Sequence, residues 1–202
     1  MTQVLFRITI VILIIFNSSF SWSQSAISLE DIWKDGKFHT EGVYGIRSLN
    51  DGKHYTTLQN GNVVKFSYES GDSVDVVVLG SELKVDGEKV VIDEYSFNQS
   101  ETKVLFATEE KPLYRHSASY VYYAYDRTDK KLKPIANGKH VYHATFSPVS
   151  NQVAYVKDNN LFVEDLDDKT IKQVTSSGKL NEVINGMSDW VYEEEFAFTK
   201  AF

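Results

Sequence analysis

A chain of 202 residues with Lys+Arg 21 against Asp+Glu 28, a formal charge of -7, has room for one or two domains and lacks the concentrated basic surface that phosphate binding needs. Nucleic acid is therefore not an expected partner, whereas a cationic one is compatible with the charge. There are no cysteines, so disulfides and thiolate metal sites are excluded, and 12 Tyr with 12 Phe lean toward strands rather than a helical bundle.

The chain opens with "MTQVLFRITIVILIIFNSSFSWSQSA", in which Arg7 precedes a nearly continuous apolar stretch from Ile8 to Phe16 and small polar residues follow. That order reads as a signal peptide over residues 1–24, and the stretch is short against the roughly 20 apolar residues of a membrane span. Export to the periplasm or beyond is the expectation, an uncleaved N-terminal anchor the alternative, and residues 25–202 form the mature domain. Next comes "SLEDIWKDG", a short helix candidate with Ser28 as its cap, Asp31 in the capping-box position and Gly36 at its end.

From Leu49 onward, runs such as "HYTTLQ", "VVKFSY", "VDVVVL", "KVLFAT", "YVYYAYD", "HATFSP", "QVAYVK" and "LFVEDL" alternate with the turn sequences "NDGK", "QNGN", "ESGD", "VDGEK" and "KDNN". This is the pattern of successive antiparallel strands joined by tight turns. "SLNDGKHYTTL", "SFNQSETKVLFA" and "TFSPVSNQVAYV" superpose at a period of about 48 or 49, with Leu49, Phe97 and Phe146 in register. Each unit continues through further strands, so the expected fold is all-β: a partial β-propeller of about three four-stranded blades plus the start of a fourth. A β-sandwich with regular strand spacing is the alternative.

The repeat is broken twice. Thr57 to Val64 and Tyr155 to Phe162 span first-to-second-strand gaps of about seven residues, but Phe106 to Tyr122 spans about sixteen, and the excess includes "KPLYRHSAS". Such an insertion is expected as a loop on a propeller face. The second break follows "IKQVT": a fourth unit should start about eleven residues beyond Val174, yet the next starting aromatic is Phe202, and "NGMSDWVYEEEFAF" intervenes. Arg115 and His116 lie in one break, Glu193, Glu194 and Glu195 in the other.

"YRHSASY" followed by "DWVYEEEF", together with "GVYGIRSLNDGKHYTTL", resembles the N-terminal β-propeller of the dipeptidyl peptidase IV family, over about residues 29–202. The resemblance implies an eight-bladed parent, a short helical insertion carrying the glutamates, and release of Xaa-Pro or Xaa-Ala dipeptides from peptide N-termini. It implies that Glu194 and Glu195 bind the substrate's free α-ammonium, that Arg115 contacts the substrate carbonyl and supports the glutamates, and that the parent needs no cofactor and commonly forms a homodimer.

Physical chemistry agrees with that assignment. An ammonium offers three donors, and two adjacent carboxylates can take them from two sides. At an effective dielectric of about 20, each contact near 3 to 4 Å contributes on the order of 4 to 5 kcal/mol before desolvation. A blocked amine leaves both carboxylates unpaired, so the pair measures the distance from the N-terminus to the bond that is cut. Two adjacent acids repel, so a cation such as Arg115 is expected beside them. Consecutive side chains about 100° apart on a helix let two converge on one cation, while Glu193 points elsewhere, to a structural hydrogen bond or to solvent.

Other constellations are weaker. The spacing of His140 and His143 in "HVYH" sends them to opposite faces of a strand, and no metal site is expected. The acids of "EDLDDK" fall at an expected turn and read as solvated, Asn98 in "NQS" matches a glycosylation acceptor common by chance, and His116 reads as shaping its loop. No GxSxG elbow occurs in the 202 residues, so no catalytic nucleophile is assigned in this chain. The expectation is the recognition part of a longer serine peptidase; the alternative is a standalone secreted propeller fragment that binds peptides or proteins without catalysis.

Overall fold

The computed structural model describes residues 26–40, 42 and 44–202. The expected signal peptide lies outside the described residues, among which no helix is long and apolar enough to cross a membrane. The chain divides into two units, residues 1–43 and 44–202. In the first, helix α1 (Leu29–Trp33) starts from a full capping box, in which Ser28 Oγ accepts the Asp31 N–H at 3.1 Å and Asp31 Oδ2 accepts the Ser28 N–H at 2.9 Å. Gly36, at φ 59°, follows its end, as expected from the sequence.

The second unit is a run of antiparallel strands. β1 (Arg47–Ser48), β2 (His54–Gln59), β3 (Asn62–Ser67) and β4 (Ser73–Val78) pair in chain order as one four-stranded sheet. A small hairpin, β5 (Lys84–Val85) and β6 (Glu88–Lys89), leads to β7 (Glu94–Phe97), β8 (Lys103–Pro112), β9 (Ala118–Asp126) and β10 (Lys131–Pro134), again paired in order. After a turn at Ala136–Gly138 come β11 (Val141–Phe146), β12 (Gln152–Lys157), β13 (Asn160–Asp165) and β14 (Ile171–Gln173). These are three propeller blades, and no further strand follows Gln173 among the described residues.

Turn chemistry accounts for the hairpins. Asn60 and Gly61, Asp86 and Gly87, and Asp158 and Asn159 are pairs of left-handed residues that close two-residue turns, where Asn, Asp and Gly accept positive φ at little cost. Repeating hydrogen bonds fix the period: the amides of Leu49, Asn98 and Ser147 donate to the carbonyls of His54, Lys103 and Gln152, giving a repeat of 49 residues both times. Ser48, Phe97 and Phe146 are then equivalent, each opposite the second residue of the next strand, so the expected register was off by one at Leu49.

The core lies between the blades. Along β8, Val104 and Phe106 pack with Val63, Val78, Leu83 and Tyr95, while Leu105 and Ala107 pack with Val153, Tyr155 and Ile135. The middle blade is thus dry on both faces, whereas each sheet of a sandwich has one dry face, and the sandwich alternative fails on this point. Tyr95 Oη crosses from the middle blade to the first by donating to Thr56 Oγ1 at 2.8 Å in the buried interior.

Glu164 corrects the reading of "EDLDDK" as a solvated turn. It sits within β13, 5% exposed, and its Oε2 accepts the Ala136 N–H at 2.7 Å, so it anchors the turn between the second and third blades. Burial pushes its carboxyl above the usual range, against the pull of the Ala136 amide. Asn98, too, is occupied: its Oδ1 accepts the Lys103 N–H at 2.8 Å and its Nδ2 donates to Ser100 and Thr102, which ties the side chain into the turn after β7.

Two glycines mark a close approach that recurs in the first and in the third blade. The Gly80 and Gly178 amides donate to Asn62 Oδ1 and Asn160 Oδ1, both at 2.9 Å. A Cβ on Gly178 would lie 2.2 Å from the Asn159 carbonyl oxygen, and one on Gly80 would lie 2.1 Å from that of Gly61. Backbone must shift to admit it. Gly178→Ala is expected to cost about 2 kcal/mol, a fall in Tm of roughly 4–8 °C in thermal unfolding. An unchanged Tm would show that the hairpin does not approach this closely.

Candidate functional site

The extra residues of the second blade are not simply a loop, as expected, but lengthen two strands. β8 and β9 run ten and nine residues, Phe106 lies opposite Tyr123, and only 113–117 form the tip. Leu113 and Tyr114 N–H both donate to the Ser117 carbonyl, at 2.9 and 3.2 Å, which closes that tip tightly. Where pairing slips between Thr108 and Lys111, Glu109 takes φ 55°, and the His140 ring holds this bulge through Nε2 on the Glu109 carbonyl at 2.9 Å. His140 and His143 serve separate places.

Lengthening β9 has a second effect. Its first residues run beyond β10 and pair instead with the next blade, Ser119 opposite Tyr142 and Tyr120 opposite Val141. The hairpin tip is thereby joined to the third blade, after which the glutamates come.

The second break is an excursion with paired feet. Ser188 N–H donates to the Thr199 carbonyl at 3.2 Å and Ala201 N–H to that of Gly186 at 3.0 Å, so residues 186–188 and 199–201 run antiparallel. Gly186, at φ 82°, lies against Val156 and Leu161 of the third blade, with 2.7 Å from the place of a Cβ to Val156 Cγ2. Between the feet stands helix α2 (Trp190–Phe196), capped by Asp189, whose Oδ1 accepts the Tyr192 N–H at 3.1 Å, and closed by Ala197 at φ 51°.

This short helix splits the three glutamates. Glu193 is 1% exposed and turned inward, where its Oε1 accepts the His116 N–H at 2.6 Å. Burial opposes its charge, but the neighbouring Ser117 hydroxyl and the His116 amide outweigh it, and the carboxyl is held below the usual range. The Ser117 Oγ, itself buried, has no partner of regular hydrogen-bond geometry, so the amide is the firmer contact. Glu193 therefore fastens the Arg115 tip to the helix, the structural role expected for it, and His116 acts through its backbone.

Glu194 and Arg115 meet at 3.0 Å between Oε1 and Nη1, with side-chain exposures of 23% and 70%. An ion pair this open to water contributes about 0.2–1 kcal/mol, too little to keep an incoming cation from sharing the carboxylate. Glu195, next along the helix, is exposed and has no ion-pair partner among the described residues. The structure thus brings Arg115 to Glu194 and leaves Glu195 beside them on the same turn, with exposed Trp190 and Val191 one turn earlier. A cation at this point would meet two carboxylates and one guanidinium.

The family described as the dipeptidyl peptidase IV (DPP IV) N-terminal region matches residues 98–202, which contain both breaks and all three charged residues of the site. The chain belongs to that family. Dipeptidyl aminopeptidase B of Saccharomyces cerevisiae is 34% identical over 152 residues, 74% of this chain and 18% of that protein. Mouse prolyl endopeptidase FAP is 26% identical over 179 residues, 88% of this chain and 23% of that protein. Among solved structures, the crystal structure of Porphyromonas gingivalis dipeptidyl peptidase 4 superposes with a TM-score of 0.76 at 35% identity, covering 88% of this chain and 26% of that one. The chain spans about a fifth of the length of the curated relatives it matches. As a DPP IV N-terminal region it is part of a propeller, and its two departures from the blade repeat are what meet at the Arg115–Glu194 pair.

His143 was weighed from the sequence only as a metal ligand beside His140. It lies in β11 where pairing with β12 slips between Tyr142 and Thr145, at φ 56°, with its Nε2 buried. A bulge is decided by tertiary packing, and "HVYH" carries no local sign of one.

Proposed function

We propose that this chain is the substrate-recognition propeller portion of a serine dipeptidyl peptidase that releases Xaa-Pro or Xaa-Ala dipeptides, with Glu194 and Glu195 receiving the α-ammonium and Arg115 the adjoining carbonyl. The observation that carries the reading is the 3.0 Å approach of Arg115 to Glu194, made across two separate insertions in the blade repeat. Two features support it. The relatives named above include dipeptidyl aminopeptidases, and the arginine–glutamate pair is weak enough to be shared with a ligand.

In this reading the ammonium donates to both carboxylates, and Arg115 turns its free guanidinium N–H groups to the first carbonyl. Glu193 keeps the arginine tip at the right height above the helix. Substrate length is thereby measured from the amine, and the peptide bond that reaches a nucleophile is the second.

The test compares cleavage of an Xaa-Pro peptide with that of its N-acetylated form by the full-length protein. Acetylation removes the charge and strands both carboxylates, so kcat/KM is expected to fall by on the order of 10²-fold or more. Equal cleavage of the two peptides would overturn the reading.

A further inference from the structure

The bulge of β11 holds a histidine placed at some cost. His143 holds a left-handed backbone at φ 56°, a region disfavoured for a non-glycine residue that persists where surrounding packing dictates it. The bulge turns the ring inward, and its Nε2 is buried without a hydrogen-bond partner among the described residues. An apolar ring would have avoided that penalty.

The charged groups whose fields reach the ring are Lys200, from the second foot, which opposes a proton on it, and Glu193, from α2, which favours one. On the flanking strands, the residues opposite the adjacent Tyr142 are Ser119 of β9 and Val156 of β12, neither of which ionises. Lys200 Nζ donates to Thr145 Oγ1 at 3.2 Å, and Thr145 Oγ1 donates to the His143 carbonyl at 2.8 Å, so bulge and foot form one bonded unit. On its other side Glu193 holds the His116 amide and with it the Arg115 tip.

We propose that His143 makes the ammonium site sensitive to acid: its protonation, felt at Glu193 and Lys200, releases the glutamate helix. The proposal rests on the reading of Glu194 and Glu195 as ammonium ligands. A neutral ring leaves both neighbours undisturbed. A proton on it creates a second cation against Lys200, which strains the foot at 199–201, and a rival to the His116 amide for the Glu193 carboxylate. Both effects loosen the same cradle.

Burial and Lys200 hold His143 below its ordinary 6.5, with Glu193 pulling the other way, so the ring is neutral near pH 7 and charges in acid. The direction of linkage follows. A ligand that needs helix and tip in place binds the unprotonated protein more tightly, so affinity falls as pH falls through the histidine's folded value, and the ligand in turn lowers that value further.

The test measures the inhibition constant of an Ala-Pro dipeptide on the full-length enzyme between pH 8 and pH 5. The dipeptide's ammonium stays charged below about pH 7 and carboxylates titrate near pH 4, so a change between about 5 and 6.5 requires a histidine. The wild type is expected to bind about 5-fold more weakly at pH 5 than at pH 7.5. His143→Gln and His143→Phe should each lose that acid limb, with binding at pH 7.5 within about 2-fold of wild type, whereas His116→Gln should keep it. A limb that survives both His143 substitutions, or a wild type without one, overturns the proposal. N-acetyl-Ala-Pro separates the two failures: if it binds as well as Ala-Pro at pH 7.5, the ammonium site itself is refuted, while a flat pH profile with free-amine preference intact refutes only the role of His143.

Discussion

Glu194→Ala and Glu195→Ala, made singly in the full-length protein, are each expected to lower kcat/KM for an Xaa-Pro substrate by about 10²-fold or more without lowering Tm. Truncating one carboxylate removes a charge-assisted contact and leaves an ammonium donor unpaired in the bound complex, a loss on the order of 3 kcal/mol. The two substitutions differ in the unliganded protein. Glu194→Ala also frees Arg115 from its 3.0 Å partner, while Glu195→Ala removes an exposed side chain that holds nothing. Neither carries the fold, so the effect falls on recognition. Activity within a few-fold of wild type for either variant would show that the ammonium binds elsewhere.

Glu193→Ala is expected to act on the fold as well as on the site. Its buried carboxylate is the acceptor for the His116 amide, and removing it leaves that donor without a partner, at a cost on the order of 3 kcal/mol in urea unfolding. Once unfastened, the Arg115 tip should also raise KM. The acid dependence carries a definite sign. The folded carboxyl lies below its ordinary 4.5, so its contribution is complete above that value and is lost as pH falls through the folded one. The stability gap between wild type and Glu193→Ala should therefore be widest at neutral pH and shrink below about pH 4.5. A gap that is constant from pH 7 to pH 3 would mean that the carboxylate does not serve as the anchor.

What could be read from the sequence was local. "HYTTLQ" and "QVAYVK" are strands over the residues that the alternation marks, and "QNGN", "VDGEK" and "KDNN" supply the left-handed turn pairs. The capping box at Ser28 was legible because its two partners are three residues apart. The register slipped by one at Leu49 because β1 has only two residues, too few to show alternation. The added residues of the second blade were visible as a count, about nine from the sequence against ten in the strand register, but whether a count becomes loop or strand depends on what lies opposite. Ser119 and Tyr120 find β11 there, and the extension stays paired.

The site was legible to the extent that it broke a repeat. Arg115 and the glutamates stood out as charge in segments that the blades do not need, and the split of Glu193 from its neighbours follows from helical rotation. His143 and Glu164 did not stand out. Each sits in a strand of ordinary composition, and its importance comes from a bulge in one case and from the face of a neighbouring blade in the other. No spacing along the chain encodes those.

The most direct measurement is a crystal structure of the full-length protein with an Xaa-Pro dipeptide bound. The account predicts the ligand's nitrogen within about 3 Å of carboxylate oxygens from both Glu194 and Glu195, with Arg115 turned to the first carbonyl and Glu193 still on the His116 amide. A nitrogen bound away from these residues, or a Glu195 still facing solvent in the complex, would contradict it.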